Sequence, residues 1–432
     1  MRYAFVIILL LFQIVSVAAQ YNAGTEKTEQ LTSLPGIGAI RNIQFVGYLP
    51  VVSPNFSNLF FWFVESKTPT ANTPIVLWLN GGPGASSLYG FFMENGPYVI
   101  TSQGTLAPRK YTWTQHAAYL VIDQPAGVGF SFGTKKTFAN EDEAMDQLYN
   151  ALLTFFIRHP NLATRPLFLA GGSYAGKYLP KLATRILADE KKLPLKGIII
   201  GNAWVNPILQ QSANADFAYS HGLIDFQQQK KVTELYQQCA KEIYKKFPSS
   251  RRANEVCKQM QEYIRNASGN LNLANITTDK KVGDADMLRY LNRQDVRAAL
   301  HIDSRVGRFN TFSKSVEDNL EIGVQDSAAE LYPALLKAGV PVLFYAGVED
   351  GKDCNFMGTD RWLNALHWHG HRDFAAAHTC IWRVNNEVAG YAKTYQGLTL
   401  VKVRGTGHLA PMDKPEQILE LFGKFVQGEP IC

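Results

Sequence analysis

The sequence predicts an α/β fold: a mostly parallel central sheet covered by helices, with an inserted helical cap over its carboxyl edge. Three observations predict it. Short, continuously apolar runs alternate with stretches of helical period, the pattern of strands buried on both faces between helices. Several of these runs end in small or polar turns, which is where ligand sites of such sheets lie. From about residue 206 to 324 the apolar runs stop, and Gln, Lys, Asn and Tyr dominate in helical patterns.

In chain order, Met1 to Ala19 carries Arg2, an apolar run and the small-residue end Val17-Ala18-Ala19, which read as a secretory signal peptide. The first part of the core is expected over 20–205. Its strand candidates are Leu59–Val64, Ile75–Leu79, Ala118–Ile122, Pro166–Ala170 and Leu195–Ile200. Between them, Glu141 to His159 places Met145, Leu148, Leu152, Phe155 and Phe156 at helical spacing, and Lys177 to Glu190 reads as a second helix. The cap is expected over 206–324. The core resumes over 325–432 with Val340–Tyr345 and Leu398–Val403.

The 432 residues, 46% of them hydrophobic, suffice for a large core, and a net charge of +6 with dispersed basic residues gives no support for nucleic-acid binding. No stretch after the leader is long and apolar enough to anchor the chain in a membrane. Three glycosylation triplets, at Asn55, Asn266 and Asn275, fit passage through the secretory pathway to a secreted or lysosomal location. The five cysteines leave at least one unpaired within the chain. Cys239 and Cys257, close in sequence, are the expected bridge, and the others stay unassigned.

Ser173 sits in Gly171-Gly172-Ser173-Tyr174-Ala175-Gly176, between an apolar strand and a helix. Such a turn can project a serine hydroxyl above the sheet. Past Val342–Tyr345 comes Asp350, and past Leu398–Val403 comes His408 between glycine-rich neighbours. The order Ser, Asp, His, each after its own strand, is that of an α/β-hydrolase triad. Ser173 is the expected nucleophile, His408 the base that takes its proton, and Asp350 the group that fixes the imidazole tautomer. Gly82 and Tyr174 N–H groups are the expected oxyanion donors. Asp353 is the alternative orienting acid.

Trp78-Leu79-Asn80-Gly81-Gly82-Pro83-Gly84, Glu94-Asn95-Gly96-Pro97, Asp123–Ser131, Ser173–Gly176, Cys354-Asn355 and Gly407-His408 together resemble the serine carboxypeptidase family, in order from about residue 40 to 425. The resemblance implies release of C-terminal residues from peptides in an acidic compartment, with no metal or cofactor. It implies that Asn80 and the Gly81 N–H bind the substrate's free carboxylate, helped by Glu94 as a protonated acid. At neutral pH an ionised Glu94 would repel that carboxylate, which rationalises an acid optimum.

The sequence departs from the family at Gly172, where a glutamate is usual, at Ala85, where a cysteine is usual, and by one extra residue between Asp350 and Cys354. Gly172 removes one acid from the carboxylate site and keeps two other readings open. One is an acyltransferase or esterase on the same triad; the other is a non-catalytic protective partner for another enzyme. Peptides or proteins are the expected substrates, and a homodimer is compatible with the sequence. His367, His369 and His371 alternate like metal ligands on a strand, but by the resemblance they fall in a polar loop.

Overall fold

The computed structural model describes residues 29–52, 56–134, 138, 140–189, 193–280 and 282–432. The expected signal peptide and Asn55 lie outside the described residues. The apolar runs meet in one 11-stranded sheet. Its strands are β1 (Gln44–Val51), β2 (Ser57–Val64), β3 (Ile75–Leu79), β4 (Ala118–Ile122), β5 (Phe132–Gly133), β6 (Leu167–Gly172), β7 (Leu195–Gly201), β8 (Val342–Gly347), β9 (Cys380–Val384), β10 (Glu387–Tyr395) and β11 (Leu398–Val403). Their order is β9-β10-β11-β8-β7-β6-β3-β4-β2-β1, with β5 beside β2. The centre, from β11 to β4, is parallel. Both flanks are antiparallel, so the sheet is mixed at its edges.

Each central strand feeds two cores. Ile75, Leu77 and Leu79 point into one hydrophobic cluster while Val76 and Trp78 point into the other. This period-2 split across a sheet covered on both faces is why the runs carry no polar alternation. The main helices are α1 (Glu141–Arg158), α2 (Ala175–Ala188), α3 (Phe226–Tyr244), α4 (Arg251–Ala267), α5 (Phe356–Ala365) and α6 (Pro415–Gln427). Helix α1 starts where the Asn140 side chain accepts from the Glu143 N–H at 2.9 Å, and three acids occupy its first turn. It buries Met145, Leu148, Leu152, Phe155 and Phe156, the stripe read from the sequence.

Between β7 and β8 the described residues form helices and loops that pair with no strand of the sheet. Helices α3 and α4 pack on each other around a small core of their own that includes Leu235, Ile243, Val256 and Met260. The Cys239–Cys257 disulfide joins them. A second disulfide, Cys380–Cys432, ties edge strand β9 to the C-terminus, and Cys354 is free and buried. Sequence spacing could not pair Cys380 with Cys432, which are 52 residues apart.

Beneath the parallel sheet a buried ion pair closes the amino-terminal side. Arg165 donates to both oxygens of Glu65, at 2.8 and 2.9 Å, and to the Thr73 carbonyl at 2.6 Å. Both side chains are nearly excluded from solvent, so losing one partner strands the other's charge. Arg165→Leu is expected to lower unfolding free energy by about 3–5 kcal/mol in urea titrations, and Glu65→Leu added to it to recover most of that loss.

Candidate active site

Ser173 occupies the turn between β6 and α2 with φ of 59°, a left-handed conformation that a non-glycine residue rarely adopts. Its backbone is tied on both sides. The Ser173 N–H donates to the Gly201 carbonyl at 2.9 Å, and its carbonyl accepts from the N–H groups of Gly176 and Trp204, each at 2.9 Å. These bonds over-determine the strained turn.

His408 and Asp350 come from separate strand ends and meet. His408 Nδ1 lies 2.8 Å from Asp350 Oδ2, and Asp350 has no solvent exposure. The same Oδ2 accepts from Asn202 Nδ2 at 2.8 Å, while Oδ1 accepts from the Lys352 N–H at 2.9 Å. A carboxylate so surrounded by donors makes Nδ1–H the favoured tautomer and leaves the other ring nitrogen as a base. Asp353 is occupied elsewhere: its Oδ1 accepts from Asn214 at 2.7 Å and Gln261 at 2.9 Å, and burial raises its pKa.

The helical insertion between β7 and β8 holds both loops. The Gly351 N–H donates to the Leu273 carbonyl at 2.9 Å, Ile276 N–H to Glu349 at 3.0 Å, and His408 N–H to Ala274 at 2.6 Å. Gly407 lets this approach happen, since a Cβ there would fall 2.1 Å from the Ala274 carbonyl oxygen. Asp413 completes the clamp, accepting from the Gly407 N–H at 2.7 Å and from Asn275 Nδ2 at 3.1 Å. The Asn275 amide of the third glycosylation triplet is thus engaged inside the site, whereas Asn266 is exposed on α4.

On the other side of Ser173, the backbone of Gly81 abuts the Tyr174 amide; a Cβ at Gly81 would lie 2.4 Å from that nitrogen. Neither the Gly82 nor the Tyr174 N–H has an acceptor among the described residues. Two unsatisfied donors beside a serine hydroxyl can receive a developing oxyanion.

Asn80 is oriented by two donors on one atom: its Oδ1 accepts from Trp78 Nε1 at 2.8 Å and from the Gly90 N–H at 2.9 Å. An indole N–H only donates, which fixes the amide orientation and turns Nδ2 toward Glu94 Oε1 at 3.0 Å. Glu94 ends a π-helical turn, Gly90–Glu94, a distortion frequent at functional sites. Burial pushes its pKa up to about 7, opposed by the Asn80 hydrogen bond and the Arg109 charge, and helped by Asp413. A carboxyl that is neutral in mild acid can donate a hydrogen bond to another carboxylate.

These groups share one cavity. Asn80, Gly81, Gly82, Glu94, Gly172, Ser173, His408 and Leu409 line a space of about 390 Å³. A smaller lobe of about 170 Å³ lies on the far side of Ser173 and His408 and includes Tyr174, Trp204 and Cys354. All eight predicted site residues therefore lie on this edge of the sheet. The sequence reading missed Asn202, whose only signal was its place at the end of an apolar strand, and the 273–276 clamp, which had none. His371 begins a helix rather than continuing a strand, so the three histidines do not alternate on one face.

The family model described as serine carboxypeptidase matches residues 35–428. Serine carboxypeptidase-like 49 of Arabidopsis thaliana is 34% identical over 407 residues, covering 89% of this chain and 77% of that protein. The venom serine carboxypeptidase of Apis mellifera is 34% identical, covering 89% and 84% respectively. The probable serine carboxypeptidase CPVL of Mus musculus is 33% identical, covering 93% and 86%. Among solved structures, a prohormone-processing carboxypeptidase of Saccharomyces cerevisiae superposes with a TM-score of 0.82 at 24% identity, covering 93% of this chain and 96% of that one. That likeness speaks to the fold.

Two outcomes follow from the geometry. Asp350→Asn is expected to lower kcat roughly 10³–10⁴-fold by removing the tautomer constraint, while Asp353→Asn leaves kcat close to that of the parent; steady-state kinetics on both checks this. Glu94 also makes stability depend on pH. Its folded pKa of about 7 exceeds the ordinary 4.5, so it costs nothing below the unfolded value. The cost grows as pH rises from there and is complete above the folded value, at about 3 kcal/mol. Glu94→Gln should flatten the unfolding free energy across that window in denaturant titrations at acid and mildly alkaline pH.

Proposed function

The chain belongs to the serine carboxypeptidase family of hydrolases, and on that premise we propose that it releases C-terminal residues from peptides through an acyl-enzyme, with an acid optimum. Ser173 Oγ attacks the carbonyl carbon of the last peptide bond as His408 takes its proton. The tetrahedral oxyanion faces the Gly82 and Tyr174 N–H groups. Collapse breaks the C–N bond, and His408 returns the proton to the departing amine. Water, deprotonated by His408, then hydrolyses the Ser173 ester. Asp350 steadies the imidazolium in both halves.

The observation that carries the reading is the Asn80–Glu94 pair in the cavity of Ser173 and His408. Asn80 Oδ1 is consumed by Trp78 and Gly90, so the pair offers donors to the cavity: the remaining Nδ2 hydrogen and, in acid, the Glu94 proton, beside the Gly81 N–H. Such donors suit a terminal carboxylate close to the reacting bond. Above the Glu94 pKa its ionised carboxyl repels that carboxylate, which gives the acid optimum. A secreted or lysosomal working place agrees with this pH, and no helix of the described residues is long and apolar enough to cross a membrane.

Gly172 favours a second reading, esterase or acyl transfer. A Cβ there would meet only the Gly201 carbonyl oxygen, at an ordinary 3.6 Å. Space therefore does not demand glycine, and one acid of the family's carboxylate site is simply missing. The deciding assay offers a blocked dipeptide as free acid and as amide across acid and neutral pH. Faster cleavage of the free acid, fading through neutrality, is expected; equal cleavage of both at every pH sinks carboxylate recognition in favour of the second reading. Gly172→Glu is expected to sharpen the acid preference and move the optimum lower.

A further inference from the structure

The cavity is bordered by a lysine for which the reaction above has no use, and which also borders a separate hollow along residues 270–274. Lys352 lines the lobe of Asn80, Gly81, Glu94 and Gly172, and also borders the smaller lobe across Ser173. It is exposed and forms no ion pair among the described residues, although its charge opposes the rise in pKa that burial gives the neighbouring Asp353. The other acid on that wall, Glu317, is already served by Lys258 at 3.8 Å and Lys314 at 3.2 Å. The root of the Lys352 side chain is fixed, because its N–H donates to Asp350 Oδ1 at 2.9 Å and its carbonyl accepts from Asn355 Nδ2 at 3.2 Å. Only side-chain torsions would have to be ordered on binding a ligand.

We propose that Lys352 is a specificity-determining residue whose ammonium pairs with the free C-terminal carboxylate of the substrate, in place of the acid missing at Gly172. The inference deepens the reading of this lobe as the carboxylate site and rests on it. A peptide's terminal carboxylate, with an ordinary pKa of about 3.3–3.7, is ionised over nearly the whole acid range. Glutamates must be protonated to bind it, whereas an ammonium binds it as it is. The extra residue between Asp350 and Cys354 lies in the short segment that carries Lys352, so the departure in loop length and the departure at Gly172 fall on the same cavity. A lysine on a loop acts as a mobile point charge, and its gain is a charge-assisted bond to the carboxylate.

The test measures kcat/KM for one blocked dipeptide with uncharged side chains, as free acid and as amide, at one acid pH. The ratio of acid to amide is expected to fall roughly ten- to a hundredfold in Lys352→Met, mainly through KM for the free acid, and largely to survive in Lys352→Arg. An unchanged ratio in Lys352→Met overturns the proposal, as does an equal loss of kcat/KM for the free acid and the amide. Failure of the parent protein to prefer the free acid is a separate result: it overturns the carboxylate reading before any variant is made.

Discussion

The buried pair of His408 and Asp350 governs the rest of the site. A carboxylate without solvent exposure is costly unless donors surround it. Here they come from three places: the imidazole, Asn202 at the end of β7, and the Lys352 N–H in its own loop. That demand fixes where three segments stop. It also explains why the insertion matters to chemistry beyond covering the cavity. Leu273, Ala274 and Ile276 bond to the backbones of both loops, so the insertion holds the distance between acid and base. Loops that hang freely from strand ends would not hold this geometry to a few tenths of an ångström.

The opposite wall works by a different economy of hydrogen bonds. Trp78 and Gly90 saturate the Asn80 carbonyl, so the side chain can present only its amide protons. Burial then keeps Glu94 protonated into the neutral range. An acid in this state is a hydrogen-bond donor with no charge to repel an anion. The same burial penalises the folded state as pH rises through the Glu94 pKa. Gly172 and Lys352 border the same wall, the former bringing no side chain and the latter an exposed amine.

Much of this was legible in the chain. Continuous apolar runs identified the central strands because both faces of the sheet are buried, and the helical stripe of α1 was read correctly from Met145 to Phe156. Of the antiparallel flanks only β2 was read; β9 and β10 escaped because they mix exposed and buried residues in patterns that short surface segments also show. Asn202 escaped notice because a polar residue at a strand end is common. The π-helical turn that aims Glu94 leaves no periodic trace over five residues.

The sequence by itself determined the chemistry on offer: a serine in a small-residue turn, a histidine and two aspartates after later strands, and an asparagine-glycine loop with a glutamate nearby. It determined the fold class for the same reason, because strand burial and turn chemistry are local properties of composition. Tertiary structure decided between the aspartates. Asp350 and Asp353 are three residues apart and equally acidic on paper, but one meets the imidazole while the other is held by Asn214 and Gln261. It also decided that Cys380 pairs with Cys432, and that Gly172 and Lys352 face one space. Such choices depend on which distant segments share a few ångströms, and hydrogen bonds and charges act only over that range.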